Sequence, residues 1–259
     1  MTIASDPTTE RVRRALAVGG FVEPEAEAAA LVGAAREGGR PIDELLERRL
    51  NGEPLAWIVG SVTFCGVHVL VDPGVFVPRP HTEPLARRAA ELLPDEGIAV
   101  DLCTGSGAVA AVLRSARPNA TVVATDVDDR AVACARRNGV DALLGDLDEP
   151  VPPSLSGHVD VVTAVVPYVP AEELYLLPRD VLEHEPRRAL DGGPRGTSLL
   201  IRAIDAAARL LRPGGGALLE LGGDQAPEVE RRLTAAGFVD VRVHRDDDGR
   251  DRAIEARSA

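Results

Sequence analysis

The sequence contains no lysine, so all 29 of its lysine-or-arginine positions are arginines. This absence excludes a Walker A phosphate-binding lysine, a pyridoxal Schiff base and a lysine nucleophile. The three cysteines, Cys65, Cys103 and Cys134, have no paired spacing, so neither a disulfide framework nor a metal site is expected. There is no apolar run long enough to span a bilayer and no signal-peptide pattern. We therefore expect a cytoplasmic protein without a membrane partner.

Acidic residues outnumber basic ones, 41 to 29, and the formal net charge is −12 at pH 7. Phosphate binding needs a net basic face, so neither a broad nucleic-acid surface nor specific binding to DNA is expected. Local arginine clusters fall on predicted helices and are interpreted as solvated faces; they lie at residues 11–14, 87–88 and 136–137.

A glycine turn at residues 105–107 follows a largely apolar run and precedes a helix-forming one. Residues 98–102 are predicted to form a buried strand, and residues 108–116 a helix. Glycines let a ligand approach the backbone, and the helix N-terminus offers free N–H groups. Asp126 closes the next predicted strand, residues 121–126, where a carboxylate can accept both hydroxyls of a ribose. The pattern predicts a site for a nucleoside cofactor.

Two cofactors are compatible with this turn, because its glycines also satisfy the looser dinucleotide pattern G-x-G-x-x-G/A of NAD-binding proteins. Asp101 lies at the end of the first strand, where it would repel a pyrophosphate but attract the cationic methionine end of S-adenosylmethionine. The chain also ends in two alternating segments, residues 238–244 and 251–257, that resemble the terminal antiparallel hairpin of class I methyltransferases. Both features favour S-adenosylmethionine over NAD.

Strands alternate with helices from Ile98 onward, which predicts an α/β fold with a parallel, doubly wound sheet. Residues 1–52 are expected to form a helical lobe, residues 53–80 a β-hairpin linker and residues 81–259 the cofactor-binding domain. Thr82 is a candidate N-cap for the first helix of that domain. The predicted strands are 98–102, 121–126, 140–144, 159–166 and 217–221, and the predicted helices are 108–116, 129–138, 198–211 and 225–236.

Several segments resemble those of the peptide chain release factor glutamine N5-methyltransferases, over nearly the whole chain. The most distinctive are Pro-Arg-Pro-His-Thr-Glu at 78–83 and His-Glu-Pro-Arg at 184–187, with Asp-Gly-Gly at 191–193. The resemblance implies a Rossmann-like class I methyltransferase fold with S-adenosylmethionine as cofactor. It also implies a release factor as protein partner, recognised by the helical lobe.

The resemblance assigns cofactor contacts as well. The turn formed by Gly105 and Gly107 would lie against the methionine end, Asp126 would hold the ribose, and Asp146 would lie near the adenine. The other expected cofactor-binding residues are Asp101, Thr104, Arg79 and Thr82. Two of these residues have alternative roles: Arg79 as half of a buried structural ion pair, and Asp146 as a loop acid that caps a turn.

One motif departs from the family pattern. The family has Asn-Pro-Pro-Tyr after its fourth strand, where this chain has Val165-Val166-Pro167-Tyr168. In the family, the Asn carboxamide oxygen and the following backbone carbonyl accept the two amide hydrogens, and the Tyr packs on the acceptor. Val165 has no side-chain acceptor, although Val166 still has its carbonyl. These four residues are nevertheless the expected catalytic positions.

The departure leaves three interpretations open. In the leading one, another group compensates and the protein is an S-adenosylmethionine-dependent N-methyltransferase acting on a release factor glutamine. In the second, the methyl acceptor is a small molecule or another protein. In the third, catalysis is lost and a cofactor-binding protein remains. The two groups that accept the amide hydrogens, the Asn carboxamide and the following carbonyl, form a polar clamp. Removal of one such group from a catalytic site typically lowers the rate by about 10²–10³-fold.

Overall fold

The computed structural model describes residues 6–259, apart from the side chain of residue 179. Its helices, in chain order, are α1 (Pro7–Val18), α2 (Pro24–Gly38), α3 (Ile42–Leu50), α4 (Leu55–Val59), α5 (Glu83–Leu92), α6 (Ala108–Ala116), α7 (Asp129–Arg137), α8 (Arg179–His184), α9 (Ser198–Leu210) and α10 (Ala226–Ala235). Its strands are β1 (Ser61–Phe64), β2 (Val67–Leu70), β3 (Ile98–Leu102), β4 (Thr121–Asp126), β5 (Asp141–Leu144), β6 (Val159–Ala164), β7 (Leu211–Glu220), β8 (Phe238–Arg245) and β9 (Asp251–Ser258).

Contacts divide the described chain into two units. The first runs to Ser61 and includes Pro178–His184, and the second comprises Val62–Leu177 and Glu185–Ala259. The boundaries expected at residues 52 and 80 differ from this division, because α4 packs against α2 and α3 and most of the hairpin groups with the sheet. Residues 1–5 of the expected lobe lie outside the described residues.

The first unit is helical and has its own apolar core. Leu16, Leu31, Leu45 and Ile58, one from each of α1 to α4, are fully buried and pack together. Proline begins both α1 and α2, where its missing N–H removes no helical hydrogen bond. The core therefore follows from apolar residues at helical spacing on several short helices.

The second unit is built on a seven-stranded sheet with the order β5-β4-β3-β6-β7-β9-β8. Strands β5, β4, β3, β6 and β7 are parallel, whereas β9 is antiparallel to both β7 and β8. This confirms the predicted doubly wound sheet and its terminal antiparallel hairpin. Strands β1 and β2 form a separate hairpin. Within residues 6–259, no helix has the length and apolar character needed to cross a membrane.

Helices cover both faces of the sheet, and successive side chains of a strand point to opposite faces. Ala164 and Leu219 belong to the apolar cluster that contains residues of α9 and α10. Val161 and Leu218 belong to the other cluster, with residues of α5, α6 and α7. Because side chains alternate along β7, Glu220 points to the same face as Leu218, the face covered by α5 to α7.

Element bounds agree with the sequence predictions for β3, β4 and α6, and differ elsewhere. Strand β7 begins at Leu211 instead of residue 217, because Leu211 already pairs with Val159 before an irregularity in the register. Thr82 occupies the N-cap position of α5, but its side chain makes no capping hydrogen bond. Its backbone is already helical, at the end of a short 3-10 turn, so the expected cap does not form.

Candidate active site at the strand ends

The carboxyl ends of β3 and β6 meet where the strand order reverses. Strand β3 lies between β4 and β6, and α6 and α9 cover opposite faces of the sheet. Chains that leave neighbouring strands toward opposite faces open a crevice, which is the usual ligand site in such sheets. The predicted site residues at the ends of β3, β4 and β6 therefore share one edge of the second unit.

The glycine turn after β3 is a tight loop whose backbone needs glycine at two positions. Gly105 has φ +56 and Gly107 has φ +81, conformations that other residues adopt only with strain. A Cβ on Gly107 would lie 2.9 Å from the Ala135 Cβ, so the loop packs closely against α7. A Cβ on Gly105 would meet nothing within 4 Å. The outer side of the loop is therefore open to a ligand.

Asp101 lies beneath this loop and is only 1% exposed. Its carboxylate accepts hydrogen bonds from the hydroxyls of Thr104 and Thr163, each at 2.6 Å, and from the backbone N–H of Ala110 in α6. Burial raises the pKa of Asp101 from 3.8 to about 6. Asp101 and Thr104 thus hold β3, β6 and the start of α6 together, and an attraction of Asp101 for a cationic ligand stays a prediction.

The pKa of Asp101 predicts a pH dependence of stability. Because the folded protein binds this proton more tightly than the unfolded chain, the Asp101 contribution to stability is lost as the pH rises from about 4 to about 6. The Asp101→Asn variant does not titrate there, so its stability relative to wild type should increase by about 3 kcal/mol between about pH 4 and about pH 7. Urea unfolding of both proteins at each pH measures this difference. A difference that stays constant with pH would show that Asp101 ionises normally.

Asp126 ends β4 and faces the same loop. Its Oδ2 accepts the N–H of Gly105 at 2.9 Å, and its Oδ1 accepts the N–H of Asp128 at 2.9 Å. Burial raises the pKa of Asp126, against the lowering effect of these N–H groups. Each carboxylate oxygen can accept a second hydrogen bond. Asp126 therefore both shapes the loop and offers acceptors for the predicted ribose.

Asp146 lies in the loop after β5, the strand that pairs with β4. The N–H of Gly145 donates to the backbone oxygen of Asp126 at 2.9 Å, which joins the two strand ends. The Asp146 side chain pairs with Arg202 of α9 at 2.6 Å, and both side chains are partly exposed. The sequence patterns gave no sign of Arg202, which lies far along the chain.

Arg79 forms an ion pair with the buried carboxylate of Glu185, with Nη2 and Oε1 2.5 Å apart. The two most distinctive sequence motifs therefore hold each other, since Arg79 comes from Pro-Arg-Pro and Glu185 from His-Glu-Pro-Arg. The guanidinium also lies over the Phe76 ring, 4.7 Å from its centroid. This geometry matches the structural alternative for Arg79, and the sequence interpretation missed Glu185 as its partner.

The loop Val165–Tyr168 is held in place around Tyr168. The backbone oxygen of Tyr168 accepts a hydrogen bond from Gln225 Nε2 at 2.7 Å, and Gln225 Oε1 accepts the N–H of Gly222 at 3.0 Å. The ring packs so closely on Gly222 that a Cβ there would lie 2.4 Å from Tyr168 Cδ2. The Tyr168 hydroxyl is 3.3 Å from His81 Nε2. Burial and the nearby Glu220 carboxylate raise the pKa of Tyr168, so the phenol stays protonated.

Comparison with known proteins identifies the family. The family model "Methyltransferase small domain" matches residues 66–144. A release factor glutamine methyltransferase of Geobacter sulfurreducens is 35% identical over 219 residues, covering 82% of this chain and 76% of that protein. One of Moorella thermoacetica is 37% identical over 276 aligned positions, covering 95% of each. The chain belongs to the release factor glutamine methyltransferase family. A solved methyltransferase of Pyrococcus furiosus shares the fold, with a TM-score of 0.54 at 21% identity, covering 75% of this chain and 90% of that one.

As a member of the release factor glutamine methyltransferase family, the protein is an S-adenosylmethionine-dependent methyltransferase. The sequence-based choice of this cofactor over NAD is thereby confirmed. The residues of the site fit the cofactor: the Gly105 side of the loop is open, and Asp126 retains acceptor capacity. The hydroxyls of Thr82 and Ser106 are buried and have no hydrogen-bond partner within the described residues. Those hydroxyls are available to a polar ligand.

In the Asn-Pro-Pro-Tyr motif of the release factor glutamine methyltransferases, this chain has valine at the first two positions, and both valines pack in apolar surroundings. Val165 packs against the apolar cluster on the face covered by α5 to α7. Val166 is 2% exposed and belongs to the cluster on the other face. Pro167 follows, and its backbone oxygen lies so close to Gly192 that a Cβ there would approach it to 2.7 Å. The loop is therefore well packed although the family Asn is absent.

Sequence interpretation missed three polar residues around Tyr168. His81 lies inside the Pro-Arg-Pro-His-Thr-Glu motif, so its position was visible although its contact was not. Glu220 lies within the apolar run predicted as strand 217–221, and a carboxylate in such a run is itself a signal. Gln225 was assigned only to the start of a helix. Each of them reaches Tyr168 through tertiary structure that local patterns do not encode.

Proposed function

We propose that the protein transfers a methyl group from S-adenosylmethionine to the side-chain nitrogen N5 of a glutamine in a peptide chain release factor. The observation that carries this proposal is the similarity of 35–37% to release factor glutamine methyltransferases across most of both chains. This substrate requires a cytoplasmic enzyme. The helical first unit is the segment we assign to recognition of the release factor.

Methylation of an amide depends mainly on how the enzyme positions the amide nitrogen. An amide nitrogen is a poor nucleophile, so the enzyme must aim it at the methyl carbon and stabilise the positive charge that develops on it. The bound cofactor supplies an electrophilic methyl group, and transfer is a direct displacement without a covalent enzyme intermediate. Catalysis then depends on what the protein presents to the two reactants.

We assign a separate set of residues to each reactant. For the cofactor, the loop of Gly105 and Gly107 provides an open backbone surface, and Asp126 and Asp146 provide carboxylates at adjoining strand ends. For the acceptor, Tyr168 provides a fixed aromatic ring, and Val166 provides a backbone carbonyl. The Tyr168 ring is held by Gly222 behind it and by Gln225 at its backbone.

A transfer assay tests this function. The purified protein should move a labelled methyl group from S-adenosylmethionine to a release factor, because it belongs to the family of enzymes named for this reaction. A release factor whose acceptor glutamine is replaced by glutamate is the matched control and should remain unlabelled, since it has no amide nitrogen and no N–H donors by which the enzyme could orient it. Equal labelling of the two factors would show that the glutamine is not the acceptor.

A further inference from the structure

Glu220, the last residue of β7, is a buried carboxylate without a hydrogen-bond partner of good geometry. It is 1% exposed, and neither of its oxygens has a donor at full hydrogen-bond geometry within the described residues. His81 Nε2 lies 3.4 Å from Oε1, and the Tyr168 hydroxyl lies within hydrogen-bonding reach of the carboxylate, which raises the pKa of Tyr168. Burial of a charged carboxylate without hydrogen bonds is unfavourable. The two donors already beside Glu220 do not use all of its acceptor sites, so the carboxylate can accept a hydrogen bond from a substrate.

The neighbour of Glu220 in the sheet is Val165, which stands where the family has its Asn. Strands β6 and β7 are parallel, with Ala164 opposite Leu219, so Val165 and Glu220 follow at the same level. Val165 packs with the cluster that contains Leu218, and the alternation along β7 directs Glu220 to that same face. The carboxylate therefore lies beside the position where the family has its Asn carboxamide.

We infer that Glu220 accepts a hydrogen bond from the nitrogen of the acceptor amide and so replaces the acceptor that Val165 cannot provide. This inference rests on the proposed methylation of glutamine. The acceptor nitrogen carries two hydrogens, of which one meets Glu220 and the other meets the Val166 carbonyl. Tyr168 packs against the acceptor and, through its hydroxyl, stays within reach of His81.

A carboxylate at this position can also accept the proton that the amide nitrogen must lose after methylation. When the amide nitrogen attacks the methyl carbon, the carbon–nitrogen bond forms as the carbon–sulfur bond breaks, and the electron pair of that bond stays on sulfur. The methylated nitrogen then carries one proton too many. Glu220 takes this proton, and His81, whose side chain is 31% exposed, passes it to water. A negative charge next to the nitrogen stabilises the positive charge that develops during transfer.

The test compares Glu220→Gln with a buried carboxylate on the adjoining strand. Glu255 is 4% exposed and paired with Arg88 and His244, so Glu255→Gln is a matched control. The binding readout uses a release factor with either glutamine or glutamate at the acceptor position, titrated by fluorescence anisotropy. The kinetic readout is kcat for methylation of the glutamine form. Thermal unfolding verifies that each variant is folded.

Wild type should bind the glutamine form about tenfold more tightly than the glutamate form, because Glu220 repels a second carboxylate. Glu220→Gln should bring this ratio close to one and lower kcat about tenfold, with an unfolding temperature no lower than that of wild type. Glu255→Gln should leave both the ratio and kcat unchanged. Adding Val165→Asn to Glu220→Gln should restore part of kcat, because a carboxamide oxygen then occupies the family position.

Two results would overturn the inference, and they are distinguishable. If a folded Glu220→Gln, or the folded double variant with Val165→Asn, keeps the wild-type ratio and kcat, Glu220 does not contact the acceptor although glutamine methylation stands. If wild type neither methylates the glutamine form nor distinguishes it from the glutamate form, the proposed function fails and the inference fails with it.

Discussion

Substituting Gly222 by alanine should lower kcat for methyl transfer about 100-fold while cofactor affinity stays at the wild-type level. The new Cβ would lie 2.4 Å from Tyr168 Cδ2 and 2.8 Å from Cε2, so the ring must move. Gln225 holds the Tyr168 backbone at 2.7 Å, so the ring can only swing away from its wild-type position. A displacement of about 1 Å in a positioning group is enough for a loss of this size. Steady-state kinetics with a release factor measures it.

The neighbouring glycine supplies the control. Gly223 has φ +51, but a Cβ there would meet nothing within 4 Å. Gly223→Ala should therefore destabilise the protein by about 1–2 kcal/mol through backbone strain and leave kcat nearly unchanged. If Gly222→Ala is folded and as fast as wild type, the position of the Tyr168 ring does not govern transfer.

Replacing Asp126 by alanine should weaken binding of S-adenosylmethionine about 100-fold. The carboxylate is the proposed ribose acceptor, and the N–H groups of Gly105 and Asp128 also depend on it, each at 2.9 Å. Hydrogen bonds to a charged group contribute about 1.5–3 kcal/mol each, so the ligand contact and the loss of loop order together account for the effect. Titration calorimetry with S-adenosylmethionine and with its demethylated product measures the affinity, and NAD should give no signal.

Asp141 provides a matched substitution. It is exposed at the start of β5, at the opposite end of the neighbouring strand, so Asp141→Ala should bind the cofactor as wild type does. An unchanged affinity in a folded Asp126→Ala variant would place the ribose elsewhere.

Local patterns predict the elements that carry the cofactor loop. The apolar run before the glycines and the run ending at Asp126 appear in the structure as β3 and β4 with the predicted bounds. Their prediction succeeds because a buried parallel strand is a continuous apolar run and because a strained turn demands glycine. The family resemblance rests on motifs that local propensity does not explain, and the similarity to curated relatives confirms it.

The contacts of Arg79, Tyr168 and Thr82 depend on tertiary structure and escape such patterns. The partner of Arg79 is Glu185, 106 positions away, and Gln225 reaches Tyr168 across 57 positions. Thr82 has the residue type of a helix cap, yet its hydroxyl is buried without a partner because a 3-10 turn already precedes α5. Sequence spacing shows which residue types are present, and only the fold shows which of them meet.

Tandem mass spectrometry of a release factor after incubation with the protein and S-adenosylmethionine tests the central claim most directly. The account predicts one added methyl group on the side-chain nitrogen of a single glutamine, formed by a protein that has Val165 and Val166 in place of the family Asn-Pro. An unmodified release factor, recovered from a reaction in which the folded protein binds S-adenosylmethionine, would contradict it.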